Sequence, residues 1–310
     1  MEDFFGSDFS KKVPNEFIQK FPGNVELWLK RDDLLHPRIS GNKFRKLKYN
    51  LSEARKKSLS KLLTFGGAHS NHIAAVAAAG KKFDFKTIGI IRGEELAENP
   101  QKWSPSLRYA SESGMKLEFI SREEYRVKDS VAYREKLKQG FGDFYLIPEG
   151  GTNEFAIRGC AEILTKTDSE FDYICTSVGT GGTMAGILHA SEEHQQILGF
   201  SALKSDYLLD EIQKMTGKTN WELILNYHFG GYAKVSADLI DFINNFYRMY
   251  QIALDPVYTG KMLFGIFELA TQQFFPENSR ILAIHTGGIQ GIEGMNEFLR
   301  KKNWPQIIGV

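Results

Sequence analysis

From about residue 60 to the end of the chain, short apolar runs alternate with segments of helical period, which is the pattern of repeated βαβ units. The runs predict strands at KLLTF (61–65), KTIGII (86–91), KLEFI (116–120), FYLIP (144–148), YICTSV (173–178), QILGFSA (196–202), ELILNY (222–227) and RILAIHT (280–286), with a further strand-like run at LWLKRDDLL (27–35). Most are apolar on both faces, as expected of strands buried between helix layers in an open parallel sheet rather than half-exposed in an antiparallel one. Helices are predicted from Ser70 to Ala79, Pro105 to Ser113 and Glu154 to Leu164, with Gly80 and Gly114 as left-handed stops after the first two. HPRISGN (36–42) and PEGGTN (148–153) read as boundaries. They predict an α/β protein of two lobes, each an open, mostly parallel, twisted sheet flanked by helices. Residues 36–149 would form a smaller domain, and 1–35 plus 150–310 a larger one, with a ligand in the cleft between them.

Composition narrows the field. The length of 310 residues suits two domains at about 150 residues each. Charge is nearly balanced, 39 Lys+Arg against 38 Asp+Glu, so no overall field recruits nucleic acid or an anionic membrane, and any anion must be held by a local site. Cys160 and Cys175 form neither a disulfide framework nor a metal-binding pair, which fits a reducing compartment. The start MEDFFGSDFSKK lacks the basic and apolar regions of an export signal, and no run approaches the ~18 apolar residues of a membrane span. A cytoplasmic protein acting on a small molecule is expected.

The segment SGNKFRKLKYNLSEARKK carries Lys43, Arg45, Lys46 and Lys48, most of which read as a solvated basic helix face. Ser40 or Asn42 would cap the helix, and Phe44, Leu47, Leu51 and Ala54 form its apolar stripe. Lys43 lies at the edge of that stripe, on the first turn. There both the helix dipole and lost hydration disfavour the ammonium, so its pKa should fall, as suits an amine that forms Schiff bases.

SVGTGGTMAGIL (177–188) links an apolar run to a probable helix start, so the backbone amides of Gly179, Thr180, Gly181, Gly182 and Thr183 and two threonine hydroxyls can converge on one anion. The dinucleotide pattern fails because Met184 stands where its third glycine belongs, and no GK[ST] follows for a P-loop. A phosphomonoester is the expected guest. TFGGAHSNH (64–72) has the same design, with more polar groups at Ser70, Asn71 and His72 than capping alone requires, which points to a bound carboxylate or hydroxyl ligand. HFGGY (228–232) and DPVYTGK (255–261) place Tyr232 and Tyr258 beside glycine-bearing turns, and HTGG (285–288) puts Thr286 at the carboxyl end of the last strand. No metal-ligand spacing and no GxSxG elbow is present.

In this order, GNKFRKL, GGAHSNH, PEGGTN, VGTGGTMAG, GGY, DPVYTGK and HTGG resemble the pyridoxal-phosphate enzymes of the tryptophan-synthase β fold type (fold type II), and within it the aminocyclopropane-carboxylate deaminase and D-cysteine desulfhydrase family. The resemblance spans about residues 26 to 298. It implies pyridoxal 5′-phosphate as cofactor, Lys43 as the Schiff-base lysine, residues 179–183 as the phosphate cup and Asn71 on the cofactor 3′-oxygen. It further implies Ser70, with Asn71 and His72, at the substrate carboxylate, Tyr232 and Tyr258 as the active-site tyrosines, Thr286 below the ring nitrogen, and a homodimer. In the deaminase branch a glutamate follows the DPVY tyrosine, whereas here Thr259 does, and SNH stands in place of SNQ. A neutral hydroxyl leaves the ring a weaker electron sink, which suits β-elimination. The reading is a lyase giving 2-oxo acid and ammonia, and hydrogen sulfide from D-cysteine. The alternatives are the cyclopropane deaminase and a cofactor- or nucleotide-binding protein without turnover.

Overall fold

The computed structural model describes residues 4–5, 13–204 and 207–309. Strands β1 (Asn15–Phe21) and β2 (Val25–Lys30) make a hairpin, followed by α1 (Asn42–Lys56), β3 (Lys61–Gly67), α2 (Asn71–Phe83), β4 (Lys86–Arg92), α3 (Pro105–Glu112), β5 (Lys116–Ile120), α4 (Arg122–Arg126), α5 (Val131–Phe141) and β6 (Tyr145–Ile147). The chain continues through α6 (Glu154–Ala161), β7 (Tyr173–Val178), α7 (Gly182–Ala190), β8 (Gln196–Ser201), α8 (Tyr207–Met215), β9 (Trp221–Ile224), α9 (Ala237–Tyr250), α10 (Thr259–Thr271), β10 (Arg280–Ile284) and α11 (Gly291–Lys301).

Two sheets result, one of order β1-β2-β10-β7-β8-β9 and one of order β5-β4-β3-β6. Every pairing is parallel except β1 with β2. Strand β2 pairs with β10 from Glu26–Arg280 to Lys30–Ile284, so the N-terminal hairpin completes a sheet otherwise built from the second half of the chain.

Both faces of each sheet are covered, which is why the strands read as continuous apolar runs. In β7, Cys175 packs with α9 and α10 through Ile243, Met262 and Ile266, while its neighbour Ile174 packs with α7 and α8 through Ile187 and Ile212. In β3, Leu62 faces Leu47 and Val76 of α1 and α2, while Leu63 faces Tyr125 and Tyr133 of α4 and α5.

Three local expectations differ from the structure. Gly80 does not stop α2, which runs on to Phe83 and ends at Asp84 in a left-handed conformation. A Cβ at Gly80 would lie 2.2 Å from Cγ2 of Thr87, so the glycine allows close approach to β4 instead. The run at 27–35 is strand only to Lys30, and Asp32–Leu35 form a 3₁₀ turn. The segment predicted helical from 154 to 164 stops at Ala161. Among the described residues no helix is long and apolar enough to cross a membrane.

Candidate active site

Helix α1 opens with Gly41, at φ +57°, and no side chain caps it. A Cβ there would lie 2.0 Å from the Thr286 carbonyl oxygen, the same atom that accepts from Asn42 N at 3.2 Å. Neither Ser40 nor Asn42 is the cap. Asn42 is the first helical residue, and its side chain donates to Thr183 Oγ1 at 3.0 Å and accepts from Lys43 Nζ at 2.9 Å. Lost hydration, then the nearby Lys46 ammonium, lower the Lys43 pKa from 10.5 to about 7.

The rest of the basic run is not a solvated face. Arg45 is buried in a two-point pair with Asp32, Nη2–Oδ1 at 2.7 Å and Nε–Oδ2 at 3.0 Å. Lys46 is buried and donates to the Gly150 carbonyl at 3.0 Å and Thr152 Oγ1 at 3.2 Å. Lys48 is paired with Glu162. Their partners lie 13 to 114 residues away, beyond the reach of helical periodicity.

The loop after β7 turns into α7 through Gly181, at φ +80°. The Thr180 hydroxyl lies 2.6 Å from that of Thr152, so the PEGGTN segment, with Lys46 behind it, buttresses the loop. Gly179, Thr180, Gly181 and Thr183 line a cleft of about 670 Å³, together with Lys43, Lys46, Ser70, Asn71, His72, Tyr232, Tyr258 and Thr286. Gly182 sits behind this surface, where a Cβ would lie 2.7 Å from Cγ2 of Thr152.

At the start of α2, Ser70 does cap, accepting from Ile73 N at 3.3 Å. Asn71 Oδ1 is buried without a hydrogen-bond partner. His72 lines the cleft in its neutral form. Thr64 Oγ1 donates to the Ile147 carbonyl at 2.8 Å, so the 2.8 Å contact to His72 Nε2 requires that nitrogen to carry the proton. Nδ1 is then an unpartnered acceptor, and burial, with Lys43 and Lys46 nearby, holds the ring pKa well below 6.5.

Tyr232 and Tyr258 meet edge to face with ring centroids 6.2 Å apart, and their hydroxyls pair. Burial raises the Tyr258 phenol pKa well above 10, and the surrounding protein raises that of Tyr232, which keeps 43% of its surface exposed at the cleft mouth. Tyr258 is held by Asp255, whose carboxylate accepts from the backbone N–H groups of Val257, Tyr258 and Thr259 at 2.8 to 2.9 Å. Behind the cleft, the Thr286 hydroxyl lies 3.3 Å from Ser177 Oγ and 3.5 Å from Thr259 Oγ1. Among the described residues no carboxylate is hydrogen-bonded to any of these three hydroxyls. Sequence reasoning missed Ser177, Asp255 and the buried state of Lys46. Asp255 stood within the DPVYTGK motif, and Ser177 at the end of the YICTSV strand.

A lysine amine of lowered pKa beside a glycine-rich anion cup defines a particular chemistry, and the family model for pyridoxal-phosphate dependent enzymes matches residues 13–287. The chain belongs to this family. A Pyrococcus horikoshii protein bearing the name of a candidate 1-aminocyclopropane-1-carboxylate deaminase is 34% identical over 308 residues, covering 90% of each chain. The bifunctional D-cysteine desulfhydrase/1-aminocyclopropane-1-carboxylate deaminase of Arabidopsis thaliana, named as mitochondrial, is 32% identical over 297 residues, covering 87% of this chain and 74% of its own. A crystal structure of an ACC deaminase homologue superposes with a TM-score of 0.78 at 27% identity, covering 97% of this chain and 99% of the other. This pyridoxal-phosphate enzyme is therefore a homologue of the deaminase and desulfhydrase group and has its fold.

The residues present fit the cofactor. The Asn71 side chain lining the cleft, the cup at 179–183 with Lys46 behind it, and the hydroxyl cluster are the polar groups that a phosphorylated pyridine with a ring oxygen requires.

Proposed function

We propose that this pyridoxal-phosphate enzyme is an amino-acid lyase that performs α,β-elimination on a small β-substituted substrate, D-cysteine being the reference case. Overall, D-cysteine and water would give pyruvate, ammonia and hydrogen sulfide. The observation that carries this reading is the low-pKa amine of Lys43 in a cleft whose Ser177 and Thr286 hydroxyls, with Thr259 behind them, form a cluster that carries no carboxylate among the described residues.

The cofactor, when bound, supplies an electrophilic carbon and a conjugated ring that draws electrons from the substrate's α-carbon. Lys43 would bond to it at rest and, once displaced by the substrate amine, take the α-proton at Nζ; a pKa near 7 makes that nitrogen a competent base at neutral pH. Gly179 to Thr183 would hold the phosphate, with Lys46 as the nearby positive charge, and Asn71 would donate its amide to the ring oxygen. The Ser70 hydroxyl at the positive end of α2 would receive the substrate carboxylate, assisted by Asn71. His72, neutral and tied to Thr64, would shape that pocket rather than supply charge. Tyr232 and Tyr258 stay protonated and would pass a proton to the departing group. A homodimer, a cytoplasmic location, and the division into 36–149 and 1–35 plus 150–310 complete the reading.

The test is oxo-acid release from D-cysteine and, in parallel, from 1-aminocyclopropane-1-carboxylate. Pyruvate and sulfide from the first, with little 2-oxobutanoate from the second, is the expected result. Preferential 2-oxobutanoate would establish the deaminase reading, which the Arabidopsis relative's double name favours as second choice. Tight cofactor binding without turnover across a panel of D- and L-amino acids would overturn both.

A further inference from the structure

The DPVYTGK motif contains one residue that the mechanism leaves unused. Lys261, on the first turn of α10, is buried, with 2% of its surface exposed, and among the described residues has no carboxylate within ion-pair distance. Its Nζ donates instead to two backbone carbonyls, His228 at 2.8 Å and Gly231 at 2.9 Å. Burying an ammonium without a direct carboxylate partner is costly, and a hydrocarbon of similar length would fill the space with less loss of hydration.

The two carbonyls belong to the turn that delivers Tyr232. That turn is conformationally costly. Phe229, Gly230, Gly231 and Ala233 have φ of +52°, +93°, +117° and +55°, so two residues with Cβ atoms sit in the left-handed region. Its internal bonds are few, namely Gly231 N to the His228 carbonyl, Lys234 N to the Gly231 carbonyl and Gly230 N to His228 Nδ1. The remaining grip comes from one edge of α10, at a spacing of three residues. Tyr258 meets Tyr232, Lys261 holds His228 and Gly231, and Phe264 packs edge to face on Phe229 at 5.0 Å.

We propose that Lys261 is a positioning residue for Tyr232: by tying both ends of the 228–231 turn to α10, its ammonium sets the phenol of Tyr232 against that of Tyr258 in the cleft. The proposal rests on the reading of these two tyrosines as the phenols that serve the reaction. Lys261 touches neither substrate nor cofactor and acts through the loop.

The experiment compares wild type, Lys261→Met, Tyr232→Phe and the double variant, all cofactor-loaded, using amide hydrogen exchange at 229–234 and steady-state kinetics on the best amino-acid substrate. Lys261→Met should speed exchange in the loop by about tenfold or more. It should also lower kcat by about tenfold with little change in KM, a loss that shrinks to under about twofold in the Tyr232→Phe background because the phenol it positions is gone. Unchanged loop exchange, or a full kcat loss in the Phe background, would overturn the proposal. Wild-type turnover by Tyr232→Phe would instead overturn the reading of the tyrosines on which it rests. Should Lys261→Met fail to fold, Lys261→Gln, which keeps amide donors at shorter reach, goes through the same cycle with an intermediate effect expected.

Discussion

Lys43 Nζ lies 2.9 Å from Oδ1 of Asn42, its neighbour in sequence, while the same Asn42 side chain donates to Thr183 at the start of α7. One amide therefore ties the reactive amine to the anion cup. The distance from amine to phosphate site is set by α1 and α7 each packing closely on α6, where a Cβ at Gly159 would lie 2.0 Å from the Arg45 carbonyl oxygen and one at Gly186 would lie 2.4 Å from Cβ of Cys160, which is the rigidity a covalently held cofactor needs.

That amine should reveal itself without any cofactor. Acylation of the cofactor-free protein across pH, read by peptide mapping, should give Lys43 a midpoint near pH 7, against about 10.4 for surface lysines. Burial is the larger cause and the Lys46 ammonium the second, so Lys46→Met, which removes a positive neighbour, should move the midpoint upward. A Lys43 that titrates with the surface lysines would refute the assignment.

Gly41→Ala should damage both stability and cofactor attachment. Its Cβ would collide with the Thr286 carbonyl at a φ that side chains rarely adopt, and relief requires α1 to retreat from the end of β10, carrying Lys43 with it. A loss of about 2 kcal/mol or more in urea unfolding is expected, together with reduced covalent fixation of cofactor by borohydride.

The Arg45–Asp32 pair offers a test of burial. Asp32→Asn removes the carboxylate charge from a buried, two-point ion pair and should cost about 3–5 kcal/mol. Replacing both partners, as in Arg45→Met with Asp32→Leu, should recover most of that loss, because the pair's own net contribution is small. Chemical unfolding of the three proteins decides the matter.

These residues also mark where the sequence was legible. The strand YICTSV, buried on both faces, was found to the residue because nothing in it alternates. Strand β1 escaped because it lies at the sheet edge with only Ile18 and Phe21 buried, and NEFIQKF has no apolar run to betray it. Lys43 could be picked out because a helix start and an apolar stripe are local features. Arg45 and Lys46 could not, since what buries them is Asp32 before the helix and the Gly150 carbonyl far downstream. The protonation state of His72 was out of reach for a related reason: its proton is dictated by Thr64, eight residues earlier on β3, which donates onward to β6.

His72 should make the protein acid-sensitive in a calculable way. Its folded pKa lies well below 6.5, so the ring stays neutral in the native state while the unfolded chain protonates it below about pH 6.5. In that window the unfolded state binds more protons, stability therefore rises with pH, and it falls as pH drops from 6.5 until the folded pKa is reached. The slope approaches ~1.4 kcal/mol per pH unit for this one group. His72→Gln keeps an N–H donor for Thr64 but does not titrate, so between pH 6.5 and 5.5 it should lose about 1 kcal/mol less than wild type, whatever His36 and His69 contribute to both proteins. Equal acid losses in urea melts of the two proteins would mean that the ring is solvated and chargeable, and would overturn the assignment of His72 as a neutral, Thr64-bonded wall of the pocket.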